Sequence, residues 1–153
     1  MGRVALLVRN PDEGAVLKTA EGHDKSEFII TRHSNFEVPI NVIVYYGNQE
    51  SRSNVEEIDQ NWNEIMKEVI KIEERQEGLI WVGDFNRQIG DIVKGNKKKV
   101  SHGGSLIRDL IESDKYVLLN GSSKVKNGPW TRYDPSSPDD NERKSALDLA
   151  IVS

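Results

Sequence analysis

The sequence predicts an α/β domain, or an α+β domain with a mixed sheet. Short runs of β-branched and aromatic residues bounded by turn residues recur along the whole chain, and one long amphipathic stretch leads straight into a compact apolar run. A helix that feeds directly back into a buried strand is how α/β layers are built.

The elements follow in order. Between Arg3 and Arg9 the run V-A-L-L-V is stopped by Asn10-Pro11-Asp12-Glu13-Gly14, which predicts a buried strand ended by a turn. Glu27 to His33 and Val38 to Tyr46 are strand-like, and with Ser34-Asn35 between them they predict a hairpin or meander in one sheet. Apolar residues at Val55, Ile58, Trp62, Ile65, Val69 and Ile72 recur three and four apart among charged residues, which predicts a long amphipathic helix. Gly78 is expected to close it as a left-handed cap, before the strand Leu79 to Val82 that breaks at Gly83. A polar stretch from Arg87 to Gly104 precedes a second helix with Leu106, Ile107, Leu110 and Ile111 on one face. Tyr116 to Leu119, Trp130 to Tyr133 and Ser145 to Val152 complete a set of roughly seven strands and two helices, without a repeat or low-complexity segment.

Composition bounds the function. With 153 residues, 36% hydrophobic and 30% charged, the chain has the make-up of one soluble globular domain. The absence of cysteine excludes disulfides, thiolate metal sites and a cysteine nucleophile. No apolar run approaches the ~20 residues that span a bilayer, and no signal-peptide layout opens the chain, so an intracellular protein, nuclear or cytoplasmic, without a membrane partner is expected. The net charge of −4 argues against coating nucleic acid by bulk charge, but leaves room for one local basic patch. Lys94, Lys97, Lys98 and Lys99 around Asn96 form the one concentrated basic stretch; a solvated loop is the plainer reading of it.

Gly83-Asp84-Phe85-Asn86 stands where a buried strand gives way to a polar loop, the place where open α/β sheets carry ligand-contacting groups. Asp84 and Asn86, two apart on extended backbone, would present a carboxylate and a carboxamide to the same side. One can accept a proton or bind a metal and the other can donate to an anionic oxygen, a pair suited to attack of water on a phosphate. The plainer alternative is a local turn in which both side chains bond the backbone.

Four segments in this order resemble the endonuclease/exonuclease/phosphatase (deoxyribonuclease I-like) family: G-R-V-A-L-L-V, N-V-I-V-Y-Y-G-N, W-V-G-D-F-N and K-S-A-L-D-L-A-I-V-S. More narrowly, V-Y-Y-G-N-Q-E-S-R, K-V-S-H-G-G-S-L-I-R-D-L and G-P-W-T-R-Y-D-P resemble non-LTR retrotransposon endonuclease domains and craniofacial development protein 2-like sequences. The resemblance implies a two-sheet α/β sandwich, with residues 1–153 as the central portion of a single domain that lacks its first and last strands.

By position, the resemblance gives Asp84 the attacking water, Asn86 the orientation of that water and a phosphate contact, and Tyr45 a hydroxyl at the scissile phosphate, with Tyr46 as fallback. Gly47 stands where the family often has proline. Asp148 matches the carboxylate that orients a catalytic histidine, and Asn48, Asn96, Lys97, Trp130 and Arg132 fall where substrate contacts are expected. A strand-capping Tyr45, a core Trp130 and an exposed-face Asp148 are the plainer alternatives. The family's metal-binding glutamate and terminal catalytic histidine have no match in the chain, and His23, His33 and His102 are not placed to substitute. The implied function is Mg²⁺- or Mn²⁺-dependent phosphodiester hydrolysis: nicking of a DNA substrate by a retroelement-type domain beside a reverse transcriptase in a parent polyprotein. The alternatives are a catalytically incomplete remnant or domesticated nucleic-acid-binding module, and a phosphatase of small phosphorylated substrates.

Overall fold

A computed structural model describes residues 5–6, 14–21, 26–93, 99–120, 132–133, 144–145 and 148–153. In chain order the elements are β1 (Gly14–Glu21), β2 (Glu27–His33), β3 (Ile40–Tyr46), α1 (Val55–Glu74), β4 (Gly78–Asp84), a 3-10 turn (Gly90–Ile92), α2 (His102–Glu112), β5 (Val117–Leu118), β6 (Arg132–Tyr133), β7 (Lys144–Ser145) and β8 (Asp148–Val152). Six strands form one mixed sheet in the order β1-β2-β3-β4-β8-β5, and β6 pairs with β7. Only β3 and β4 run parallel, with α1 as the crossover between them, and every other pairing among the described residues is antiparallel.

The period of two along each strand decides what the helices cover. On β3 the buried positions are Asn41, Ile43 and Tyr45, on β4 Leu79 and Trp81, and on β8 Leu149 and Ile151. Onto this face α1 lays Ile65, Val69 and Ile72, and α2 adds Ile107 and Leu110, to make one core cluster. Trp81 is its centre: it is fully buried and stacks on Trp62 of α1 at 5.5 Å between ring centroids. Burying a ring system of this size removes about 200 Å² from water, a gross gain of about 5 kcal/mol as an upper figure.

Three expectations are revised. The left-handed residue after α1 is Gln76 (φ 55), not Gly78, which is already the first residue of β4. Gln76 N–H bonds Glu73 O at 2.8 Å and Glu77 N–H bonds Ile72 O at 3.2 Å, a Schellman closure that a non-glycine residue occupies at the usual cost of αL backbone. Strand β1 is not predicted by the sequence, because G-A-V-L-K-T-A-E mixes helix formers into a strand that is at the edge among the described residues and whose register shifts between Val16 and Lys18. The last strand starts at Asp148, and Lys144–Ser145 belongs to the separate β6–β7 pair. The expected strand from Arg3 to Arg9 lies outside the described residues, apart from residues 5–6. Among the described residues no helix is long and apolar enough to cross a membrane.

At the sheet end where β4 starts, Glu77 joins three elements. Its carboxylate accepts from Arg32 of β2 through Nε (2.9 Å) and Nη2 (2.6 Å) and from Asn41 of β3 (2.9 Å), and it pairs with Arg75 at 3.0 Å. The bonds from Arg32, followed by those from Asn41 and Arg75, outweigh burial and hold its pKa at about 2, against an ordinary 4.5.

Candidate functional site

At the opposite end of β4 the chain builds a polar edge. Asp84 and Asp148 are direct register partners across the antiparallel β4–β8 pair, so both side chains leave the same face of the sheet from Cα atoms roughly 5 Å apart. Tyr46 of β3 is Asp84's partner on the other side. Beyond Asp84 the chain turns sharply: Asn86 adopts φ 49, a left-handed conformation that asparagine tolerates, and its N–H bonds Asp84 Oδ1 at 3.0 Å. Its carboxamide Nδ2 donates to Gly47 O at 2.8 Å, which ties the turn to the end of β3.

Gly47 accounts for the departure from the resembled pattern. Its N–H donates to Asp84 O at 2.7 Å, which a proline could not do, and a Cβ there would lie 2.2 Å from Phe85 O. Gly83, at φ 146, is packed as closely: a Cβ would meet Tyr45 O at 1.8 Å. Two glycines thus let the ends of β3 and β4 approach until their loops share hydrogen bonds.

Asp84, Asn86 and Asp148 are brought together, whereas Tyr45 is placed elsewhere. Paired with Gly83, it projects from the helix-covered face, opposite to Asp84. Its ring packs against Phe85 (5.0 Å) and edge-on to Trp81 (6.1 Å), and it is only 7% exposed. The hydroxyl donates to Ser26 Oγ at 3.2 Å and accepts from Asn61 Nδ2 at 3.4 Å. The structure thus shows Tyr45 as a core residue whose hydroxyl is engaged by Ser26 and Asn61, not at the position of the expected phosphate contact. The same Ser26 Oγ accepts Asn48 N–H at 3.1 Å, so Tyr45 and Asn48 share one buried anchor.

Behind Asn48 and Asn86 lies Arg87, 3% exposed, whose Nη1 donates to Asn48 O and, at 3.4 Å, to Asn86 O. Glu50 follows on the same loop and accepts the first N–H groups of α2, from His102 (2.7 Å) and Gly103 (2.9 Å). Burial pushes the Glu50 pKa up, but the bonds from Gly103, Ser101 and His102 and the charge of Arg87 bring it below the ordinary value. His102 spends its ring on Asp59 of α1, Nε2 to Oδ1 at 2.6 Å. Between these loops opens a cleft of about 530 Å³ whose lining includes Asn86, Gln88, Gln49, Arg52, Lys99 and His102. It adjoins Asn86 and carries Arg52 and Lys99 together with the Glu50 carboxylate on its walls.

Asn96, Lys97 and Trp130 lie outside the described residues, and Arg132 is described as a main-chain partner of Ser145 in the β6–β7 pair. Sequence reasoning missed Arg87, Glu50, Ser26 and Asn61. The one available signal was a charged residue directly after the Asp-Phe-Asn turn, since the others act through loops distant in sequence. Among the described residues no three of His, Cys, Asp and Glu gather into a metal-holding group. Asp84 and Asp148 nevertheless fit a hard divalent cation, which binds through one or two carboxylates and keeps water and phosphate oxygens as its other ligands. Two carboxylates directly opposite on one face repel, and a cation turns that juxtaposition into attraction.

No protein-family model matches the chain, and no curated protein matches its sequence. Solved structures do match in three dimensions. TDP2 from Caenorhabditis elegans aligns with TM-score 0.55 at 12% identity, over 93% of this chain and 42% of that one. The human Nocturnin catalytic domain with bound sulfate anion aligns with TM-score 0.53 at 12% identity, over 94% and 49%. D. rerio TDP2 complexed with single strand DNA product aligns with TM-score 0.55 at 8% identity, over 92% and 54%. The shared property is the fold, that of the deoxyribonuclease I-like endonuclease/exonuclease/phosphatase proteins, and the chain spans about half the length of the structures it matches.

Proposed function

We propose that the chain carries the water- and phosphate-positioning part of a metal-dependent phosphodiesterase acting on DNA, in the manner of a retroelement-type nicking endonuclease. The observation that carries this reading is the Asp84–Asp148 register pair with Asn86 on the adjoining turn, at one sheet edge of a deoxyribonuclease I-like fold. A neighbour of this fold, D. rerio TDP2, is seen with single strand DNA product. The cleft leading away from Asn86 carries Arg52 and Lys99 beside the Glu50 carboxylate, and its two cations support contact with phosphates of a strand that extends beyond the turn.

Each residue has a chemical part. Asp84, oriented by the N–H of Asn86, accepts the proton of the attacking water. Asn86 uses one carboxamide N–H on Gly47 O, and the second donates to a phosphate oxygen. Asn48, fixed by Ser26 and Arg87, presents a further carboxamide to the same phosphate. Asp148 would orient a cationic histidine, the role the resemblance implies for it, or with Asp84 would hold a divalent cation. A bound Mg²⁺ or Mn²⁺ would supply charge neutralisation at the phosphate. The reading places the protein in the nucleus or cytoplasm, joined to a reverse transcriptase in the parent polyprotein.

Engagement of both Asp84 and Asn86 in a local turn favours a second reading, a nucleic-acid-binding module that no longer cleaves. Plasmid nicking by the protein carrying this chain with its flanking sequence, in Mg²⁺ and in chelator, separates the two. The proposal expects Mg²⁺-dependent nicking that falls at least about a hundredfold in Asp84→Asn with unchanged circular dichroism. Metal-independent DNA binding without nicking assigns the binding module.

A further inference from the structure

Asn48 and Asn86 belong to different loops, one after β3 and one after β4, yet phosphate recognition needs their carboxamides at a fixed separation and angle. Few groups can set that relation. Arg87 donates through a single nitrogen to the main-chain carbonyls of both residues, and its planar guanidinium allows far less freedom than a lysine ammonium would. Its surroundings have the marks of a fitted seat. A Cβ on Gly103 would lie 2.5 Å from Arg87 Nε and 2.6 Å from Cδ, so the first turn of α2 is bare where the side chain passes. A buried cation needs a nearby anion, and Glu50 provides it while itself anchored by the N–H groups of His102 and Gly103.

We propose that Arg87 is the positioning residue of this site: its buried guanidinium locks the Asn48 and Asn86 loops together against α2 and so aims both carboxamides at one phosphate. The aiming of a phosphate rests on the proposed phosphodiester function, whereas the locking of the loops does not. Arg87 touches main-chain oxygens rather than substrate, so it acts through the two asparagines. The left-handed backbone of Asn86 is the element it holds, a conformation that costs on the order of 1 kcal/mol and relaxes when its ties are cut.

The test uses the 153-residue chain and the variants Arg87→Met, Arg87→Lys, Asn86→Ala and the Arg87→Met/Asn86→Ala double. The first readout needs no ligand: amide hydrogen exchange of Asn86 N–H and Gly47 N–H, with Ile65 and Val69 in α1 as internal controls. Arg87→Met is expected to speed exchange at Asn86 and Gly47 at least about tenfold and leave the α1 amides unchanged, with Arg87→Lys intermediate. Unchanged exchange at both sites, or equal acceleration in α1, overturns the proposal. If Arg87→Met does not fold, Arg87→Lys and Glu50→Gln carry the same comparison with smaller effects in the same direction.

The second readout is binding of a fluorescein-labelled 20-mer duplex DNA in Mg²⁺. Affinity should fall about tenfold in Arg87→Met and by clearly less than that when the change is added to Asn86→Ala, because only Asn48 is then left to be mis-aimed, the non-additivity of a residue acting through another. Additive losses overturn the aiming role. A wild-type chain that ignores the duplex but shows the exchange pattern keeps the lock and refutes the DNA-directed function it was proposed to serve.

Discussion

Acidification tests the Glu77 clamp that holds β2, β3 and the end of α1 together. Arg32 first, then Asn41 and Arg75, keep this carboxylate at a pKa of about 2 in the folded chain, whereas the unfolded chain titrates near 4.5. A depressed folded pKa contributes stability that is fully present above about pH 4.5 and is lost as pH falls towards 2. The interval sets a ceiling of about 3 kcal/mol at 1.36 kcal/mol per tenfold. Arg32 and Arg75 are 35% and 41% exposed, and solvent screening brings the expected contribution to about 1–2 kcal/mol. The assay is urea unfolding by circular dichroism, wild type against Glu77→Gln, from about pH 7 down to about pH 2.5. Glu73, depressed chiefly by its bond from Tyr116, and Glu50 titrate alike in both proteins and cancel in the difference. The wild type should be more stable by about 1–2 kcal/mol at neutral pH, and most of the gap should close by about pH 2.5. A gap that is absent at neutral pH, or constant across the range, refutes the clamp.

Tyr45→Phe should cost about 1 kcal/mol in urea unfolding, since the Ser26 and Asn61 bonds are lost in a buried site, and should leave plasmid nicking within about twofold. A loss of nicking near a hundredfold would return Tyr45 to the chemistry. Gly47→Ala should destabilise by about 1–3 kcal/mol, because the new Cβ meets Phe85 O at 2.2 Å, and an unchanged unfolding midpoint would contradict that packing. Trp81→Ala should cost about 3–5 kcal/mol at the fully buried centre of the core. Alanine at Lys94, Lys97, Lys98 and Lys99 together should weaken DNA binding and flatten its salt dependence, and an unchanged salt slope would make that stretch a solvated loop.

Much of the fold was legible because its signals are local. The spacing of Val55, Ile58, Trp62, Ile65, Val69 and Ile72 named α1, and the β-branched runs named β2, β3 and β4 to within two residues. Strand β1 is less legible because, with one neighbour among the described residues, it needs less of that signal. Propensity points to Gly78 as the cap, while the backbone bonds to Glu73 and Ile72 put Gln76 there instead. At the site, Asp84, Asn86 and Asp148 could be named from motif and order, but the face on which Tyr45 emerges depends on its pairing with Gly83, which only the sheet reveals. Arg87 and Glu50 were illegible for the same reason: their partners Asn48, Asn86 and α2 are distant in sequence or bonded through main-chain atoms.

On the proposed function, Asp84 and Asp148 form the edge where a divalent cation and a phosphate meet. Paramagnetic broadening by substoichiometric Mn²⁺ in ¹H–¹⁵N spectra of the chain tests it directly, because the effect maps a weakly held ion onto residues. Broadening should centre on Asp84, Asn86 and Asp148, be abolished by Asp84→Asn or Asp148→Asn and be competed by Mg²⁺. Broadening centred on the acidic surface of α1, or unaltered in both variants, would contradict it.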